Sequence, residues 1–387
     1  MIHINHSARV SLSVLAASLF IPILGIALQS EAALERFHNR TLSAWPEAAA
    51  FRSDPVGYFR TGKEWFADRA FPIIQATRLE ERLAYFVLGS APEPQITLGK
   101  DEHVFLNGGS SAAVNAIFAS ACVRAHNPRV ARSLEANLQA WAKVGRRRRL
   151  RVDVILVPTA ASLYADKLPD AVPLLYRQAC LERMNGKSPL LEVRAPAQVH
   201  FLYPLHEMLE ARADVAFFPR GNWHPTGLSL KVVRDAYLAR LGVTPPGDER
   251  LELGQAPAEN LVDFGIEVEE PTYFLRNENV SVESLRDAEL RTRIADLFIG
   301  NRFTSHVFSN SKPAVDETLL MLSDSFGDFA SVAFAGAFRQ LIHINANDLE
   351  LENFSKLIDR LQGFEHLDRL LLLQQEGNAK RVGSSLK

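Results

Sequence analysis

The segment VDVILVP, residues 152–158, is a nearly unbroken run of branched apolar residues stopped by a proline. A strand of this kind has no polar face to turn toward water, so it belongs inside a parallel sheet covered on both sides. Parallel neighbours need long crossovers, usually helical ones. Helical spacing precedes the run over 110–144, and the alternation recurs with a helix over 197–213, a short strand DVAFFP at 214–219 and a helix over 228–241. It recurs again with ETLLMLSDSF, a helix over 328–338, the strand LIHIN, a helix over 354–361 and a last apolar run in LDRLLLLQQEGN. The expected class is α/β: a doubly wound, mostly parallel sheet with helices on both faces.

Upstream, 73–88 repeats apolar residues at helical spacing and stops at Gly89, and 95–109 reads as two short strands around a GKD turn. Residues 242–308 break the alternation and read as an insertion or long surface excursion. The 387 residues are 47% hydrophobic and 23% charged, enough apolar content for a full core, and the net charge of -2 supplies no field to gather nucleic acid. The one basic run, Arg146 to Arg149, is expected to be a solvated helix end.

Residues 10–30, VSLSVLAASLFIPILGIALQS, carry no charge and match the length of a membrane span. Arg9 precedes them, and Glu31 and Glu35 follow, which places residues 1–9 in the cytoplasm and 31–387 outside. The segment is expected to be an uncleaved transmembrane anchor, with signal cleavage to a soluble periplasmic form as the alternative. Cys122 and Cys180 can pair in an oxidising compartment, and their spacing does not match a structural metal site.

Functional groups of an open α/β sheet gather at the carboxyl ends of its strands. One such end carries Ser325, in MLSDSFGD, and another carries His224, in FFPRGNWHPTG. At a strand-to-helix junction a serine can cap the helix or act as a nucleophile. A histidine is the natural base for the second role, and Asn222 is the nearest group to orient it. Backbone N–H groups of Ser325 and Phe326 are suited to holding an oxyanion.

These blocks, in this order, resemble the alginate O-acetyltransferase group of the SGNH hydrolase-like proteins. Asn222, Trp223 and His224 match the family's Asp-x-His signature, and Asp324, Ser325 and Phe326 match its serine block. ERFHNRTLSAWPE, GYFRTGKEWFADRAFP, ITLGKDEHVFLNGG and VILVPTAASLYADKLP are similar to further elements of the family, so the likeness runs over roughly residues 35–376. Asn222 stands where the family has Asp, Ser323 where it has Gly, and Pro225 where it usually has Trp.

The resemblance implies an SGNH-like fold and an O-acetyltransferase of exopolysaccharide biosynthesis, alginate biosynthesis in the type case. Ser325 would carry the acyl group, His224 would be the base and Asn222 its orienter, with no metal or cofactor. The acceptor would be an exopolysaccharide, and a membrane-bound O-acyltransferase partner would deliver the acetyl group to a periplasmic domain anchored in the inner membrane. The alternative is a weak or inactive polysaccharide-binding or assembly component, with Trp45, Tyr58, Trp65 and Trp223 as sugar-stacking aromatics.

Overall fold

The computed structural model describes residues 20, 26–27, 29–38, 42–69, 73–91, 95–108, 115–214, 216–262, 266–301, 303–380 and 382. Most of the expected anchor, 10–30, lies outside the described residues. Among the described residues no helix is long and apolar enough to cross a membrane. The chain divides into two compact units, 1–92 with 264–266, and 93–263 with 267–387.

The first unit is helical. Pro55–Arg69 is followed by Ile73–Phe86, which ends three residues before the Gly89 stop. Arg69 ties Pro55–Arg69 to Glu31 of Glu31–His38 at 2.8 Å, and its guanidinium lies 5.0 Å from the centre of the Trp65 ring.

The second unit holds the sheet. Its strands in chain order are β1 (Ile96–Leu98), β2 (Val104–Leu106), β3 (Arg151–Val157), β4 (Val199–Leu202), β5 (Arg250–Pro257), β6 (Glu269–Arg276), β7 (Val280–Val282), β8 (Ser305–Asn310), β9 (Val315–Ser323), β10 (Phe338–Asn345) and β11 (Arg369–Gln375). The main sheet runs β4-β3-β11-β9-β10-β8-β7. From β4 to β10 the pairs are parallel, and β8 and β7 add antiparallel pairs at one edge. The mixed sheet with a parallel centre agrees with the class read from the buried apolar runs.

Neighbouring residues of a strand face opposite sides, so β3 shows which helices lie where. A methyl group added at Gly145 in α1 (Pro128–Arg148) would stand 2.9 Å from Val152, which puts α1 on the Val152 face. Asp153, one residue on, accepts from Tyr237 of α2 (Gly227–Arg240) at 2.6 Å on the other face. With α2 lies α3 (Ser325–Ala335), whose Ala333 carbonyl accepts from Arg234 at 3.1 Å. With α1 lies α4 (Phe354–Gln362), where Phe354 meets the Trp141 ring at 5.0 Å. Helices therefore cover both faces.

The differences from expectation have local causes. The helix expected over 110–144 breaks where Asn127 caps α1 and Pro128 takes its first turn, a position that needs no N–H. The described residues of 214–219 form turns and no strand, and Asp214 Oδ1 accepts from Ala216 N–H at 2.9 Å. The neighbouring strand is β4, inside the stretch expected to be helical, and Leu205–Ala211 is the helix that follows it. Within the 242–308 excursion, β5 and β6 form an antiparallel pair, and β7 and β8 extend the main sheet. Arg146, Arg147 and Arg148 close α1, with Arg148 paired to Asp359, and Cys122 and Cys180 are joined by a disulfide.

Candidate active site

Strand β9 climbs through buried Leu319 to Leu322 and ends at Ser323, and α3 starts two residues later. Asp324 between them is the helix cap. Its Oδ1 accepts from Phe326 N–H at 3.0 Å, and its Oδ2 accepts from Gln375 N–H at 2.8 Å and Asn378 Nδ2 at 2.9 Å. These bonds lock the turn to the end of β11. With the capping role filled by Asp324, Ser325 is left to present its hydroxyl, and Ser325 Oγ lies 3.0 Å from His224 Nε2. The two residues are separated by 101 positions in the chain, and the sheet edge brings them into hydrogen-bonding distance.

The His224 ring is wedged in place. It stacks on Phe329 with centroids 4.7 Å apart and meets Phe326 edge-on at 5.7 Å. Its Nδ1 is buried without a hydrogen-bond partner, and the carboxylate facing it is Glu259, with Oε2 at 3.7 Å.

Asn222 does not take the place expected of it. Its Oδ1 accepts from the His224 backbone N–H at 2.9 Å, and its Nδ2 donates to Glu259 Oε2 at 3.2 Å, so the carboxamide shapes the turn and touches the carboxylate instead of the ring. Phe326 is also corrected as an oxyanion donor, because its N–H is committed to Asp324. The Ser325 N–H remains at the start of the helix, where first-turn donors have no intrahelical acceptor.

Two cavities share Trp223 and His224. The smaller, about 200 Å³, holds Ser325, Asp324, Thr159 and Asn347. The larger, about 720 Å³, is walled by Glu259, Glu270, Tyr273 and Phe329, and lies between the β5–β6 pair and the helices α2 and α3. Of the aromatics expected to stack on sugars, Trp223 faces both cavities, whereas Trp45, Tyr58 and Trp65 belong to the first unit.

Several acidic groups lie in and around the site. Burial raises the Asp324 carboxyl above its usual range, against hydrogen bonds from Gln375, Asn378 and Phe326 and the nearby charge of His224. Burial likewise raises Asp328 and Glu270. Behind the smaller cavity, Glu376 is fully buried and accepts from Thr159 N–H at 2.8 Å, Thr159 Oγ1 at 2.7 Å and Tyr203 at 2.5 Å, with His126 Nε2 at 3.0 Å. This network ties the ends of β3 and β11 together beside the serine, and nothing in the local sequence around Glu376 signals it.

Beneath the serine turn, Ser323 Oγ meets His343 Nε2 at 2.8 Å. A Cβ at position 327 would lie 1.9 Å from that same Ser323 Oγ, so only glycine lets α3 settle onto the strand. His343 is buried, faces His306 at 5.9 Å between ring centres and Asp328 at 3.8 Å, and burial pushes its pKa down from 6.5 to about 3. The unfolded chain takes up this proton below pH 6.5 and the folded chain does not, so the contribution is complete above pH 6.5 and is lost as pH falls toward 3. At 1.36 kcal/mol per unit, the loss from this site reaches about 3 kcal/mol at pH 4.5. His343→Gln is expected to narrow the difference in unfolding free energy between pH 7 and pH 4.5 by about that amount in urea titrations; an unchanged difference would contradict the buried neutral ring.

No protein-family model matches the chain, and no curated protein matches it in sequence. Similar solved structures include PatB1 of Bacillus cereus with a sulfonyl adduct (12% identity, 67% of this chain and 93% of that one, TM-score 0.45). They also include a DHHW family protein of Eubacterium siraeum (12%, 76% and 95%, 0.45) and the O-acetyltransferase domain of Pseudomonas putida AlgJ (13%, 74% and 92%, 0.43). At these scores the likenesses carry no argument, and the functional reading rests on the site geometry.

Proposed function

We propose that this protein is a serine acyltransferase that moves an acetyl group to a hydroxyl of an exopolysaccharide. The observation that carries the reading is the 3.0 Å approach of Ser325 Oγ to His224 Nε2 at the mouth of a cavity, with the helix cap supplied by a different residue. A serine hydroxyl is a weak nucleophile until a base takes its proton, and this pair satisfies that requirement.

Ser325 Oγ attacks the acyl carbonyl while its proton passes to His224 Nε2. The oxyanion forms beside the Ser325 N–H at the positive end of α3, with the Asn347 carboxamide lining the same cavity. Collapse expels the leaving group, which takes the proton from His224, and leaves an acyl-serine. An acceptor hydroxyl then gives its proton to His224 as its oxygen attacks the acyl carbon, and collapse of this second intermediate breaks the Ser325 Oγ–acyl bond as the proton returns to Oγ. The smaller cavity suits an acetyl group, and the larger one beside His224 has room for sugar rings.

Anchorage through 10–30 and a periplasmic catalytic domain belong to the same proposal, and the Cys122–Cys180 disulfide favours an oxidising compartment. A multi-span acyltransferase partner would supply the acetyl donor. The test is acetyl transfer from p-nitrophenyl acetate to soluble oligosaccharides. O-acetylated product from wild type and none from Ser325→Ala is expected, and free acetate alone would reduce the reading to an esterase.

A further inference from the structure

From the neighbourhood of His224 Nδ1 we infer that Glu259, carried by the 242–308 excursion, is the positioning residue that orients His224, with Asn222 holding the carboxylate in place. The inference rests on the acyl-serine reading above and adds the third member of its proton relay.

When His224 Nε2 accepts the serine proton, Nδ1 must carry the other hydrogen, and a buried N–H without an acceptor costs about 1–3 kcal/mol. In the structure Nδ1 is buried with no partner. The carboxylates on every surrounding element differ in what they can still do. Asp324 spends both oxygens on Phe326, Gln375 and Asn378, and Asp328 accepts from Asn345 at 2.7 Å and faces His343. Glu270 accepts from the Gly221 N–H through Oε2 at 2.8 Å, and its other oxygen is buried without a partner and not in ion-pair contact with His224. Among the described residues Glu259 alone lies within ion-pair distance of Nδ1, at 3.7 Å, and its Oε2 is already steered by Asn222 Nδ2 at 3.2 Å. Catalytic hydrogen bonds are often long before substrate arrives, and a positive imidazolium would draw the carboxylate in. The short helix Glu259–Val262 follows β5 directly, so the strand pair that walls the larger cavity also delivers this group.

The test uses the full chain and p-nitrophenyl acetate. Glu259 is half-exposed on the wall of the larger cavity, so Glu259→Ala opens a space that a small carboxylate can enter. Glu259→Ala is expected to lower kcat about 10²-fold or more while KM changes less than about twofold, with a smaller loss for Glu259→Asp. Added formate should recover at least about tenfold in kcat in Glu259→Ala, and chloride at the same ionic strength should not, a response that a merely structural residue would not give. A kcat within twofold of wild type, an effect confined to KM, or a loss that formate does not restore would overturn the inference. Each of these outcomes leaves acyl-serine formation in the wild type untouched, so the wider reading stands or falls separately.

Discussion

Ser325→Ala is expected to lower kcat for p-nitrophenyl acetate by about 10⁴-fold or more, close to 5.4 kcal/mol of transition-state stabilisation at 1.36 kcal/mol per tenfold. His224→Ala is expected to fall by a similar factor, because the serine without its base is an ordinary alcohol. The double variant is the informative one. Residues that act as one unit lose together what either loses alone, so Ser325→Ala/His224→Ala should sit within about threefold of the single variants. Losses that multiply would mean that the 3.0 Å pair does not work as a pair.

Asp324→Ala carries the second large effect, and it falls on stability and activity together. The substitution removes the cap of α3, worth about 1 kcal/mol, and strips the acceptors from Gln375 N–H and Asn378 Nδ2, each costing about 1–3 kcal/mol if left buried and unpaired. The raised proton affinity of Asp324 offsets part of this, since burial already works against its charge. A loss of about 3 kcal/mol in urea unfolding is expected, together with a fall in kcat as the Ser325 turn loses its tie to β11. Asp324→Asn keeps an acceptor at Oδ1 for the helix cap but sets an amide NH2 against the Gln375 and Asn378 donors, so it should recover only the cap's share of the stability. An Ala variant as stable as wild type would show that the turn is held by something other than this carboxylate.

What the amino-acid sequence discloses depends on how local the determining contacts are. Strands β3, β9 and β11 are legible because both faces are buried over most of their length and their apolar runs are long, with Asp153 the one polar residue inside that of β3. Strand β4 is hidden because VHFL is four residues long with an exposed His200, too short to set a period of two against the helical spacing around it. Ser325 and His224 stand out as polar residues at strand and loop ends beside small residues. Which acidic residue faces the histidine is decided at long range. Asp324 caps α3 through its local bond to Phe326, whereas its ties to Gln375 and Asn378, 51 and 54 positions away, have no signal in the nearby sequence. Glu259 is one of 45 acidic residues, lies 35 positions after the histidine in a segment that broke the expected alternation, and has no motif around it. The placement of Asn222 is set by its contacts: Oδ1 takes the His224 backbone N–H and Nδ2 takes the Glu259 carboxylate, a partner 37 positions away.

The most direct test of the central claim is intact-mass analysis of the full-length protein after brief incubation with p-nitrophenyl acetate, followed by peptide mapping. The account predicts a single added acetyl group on Ser325 of the wild type, absent from Ser325→Ala and formed slowly in His224→Ala. An unmodified wild type, or an acetyl group that persists unchanged in Ser325→Ala, would contradict it.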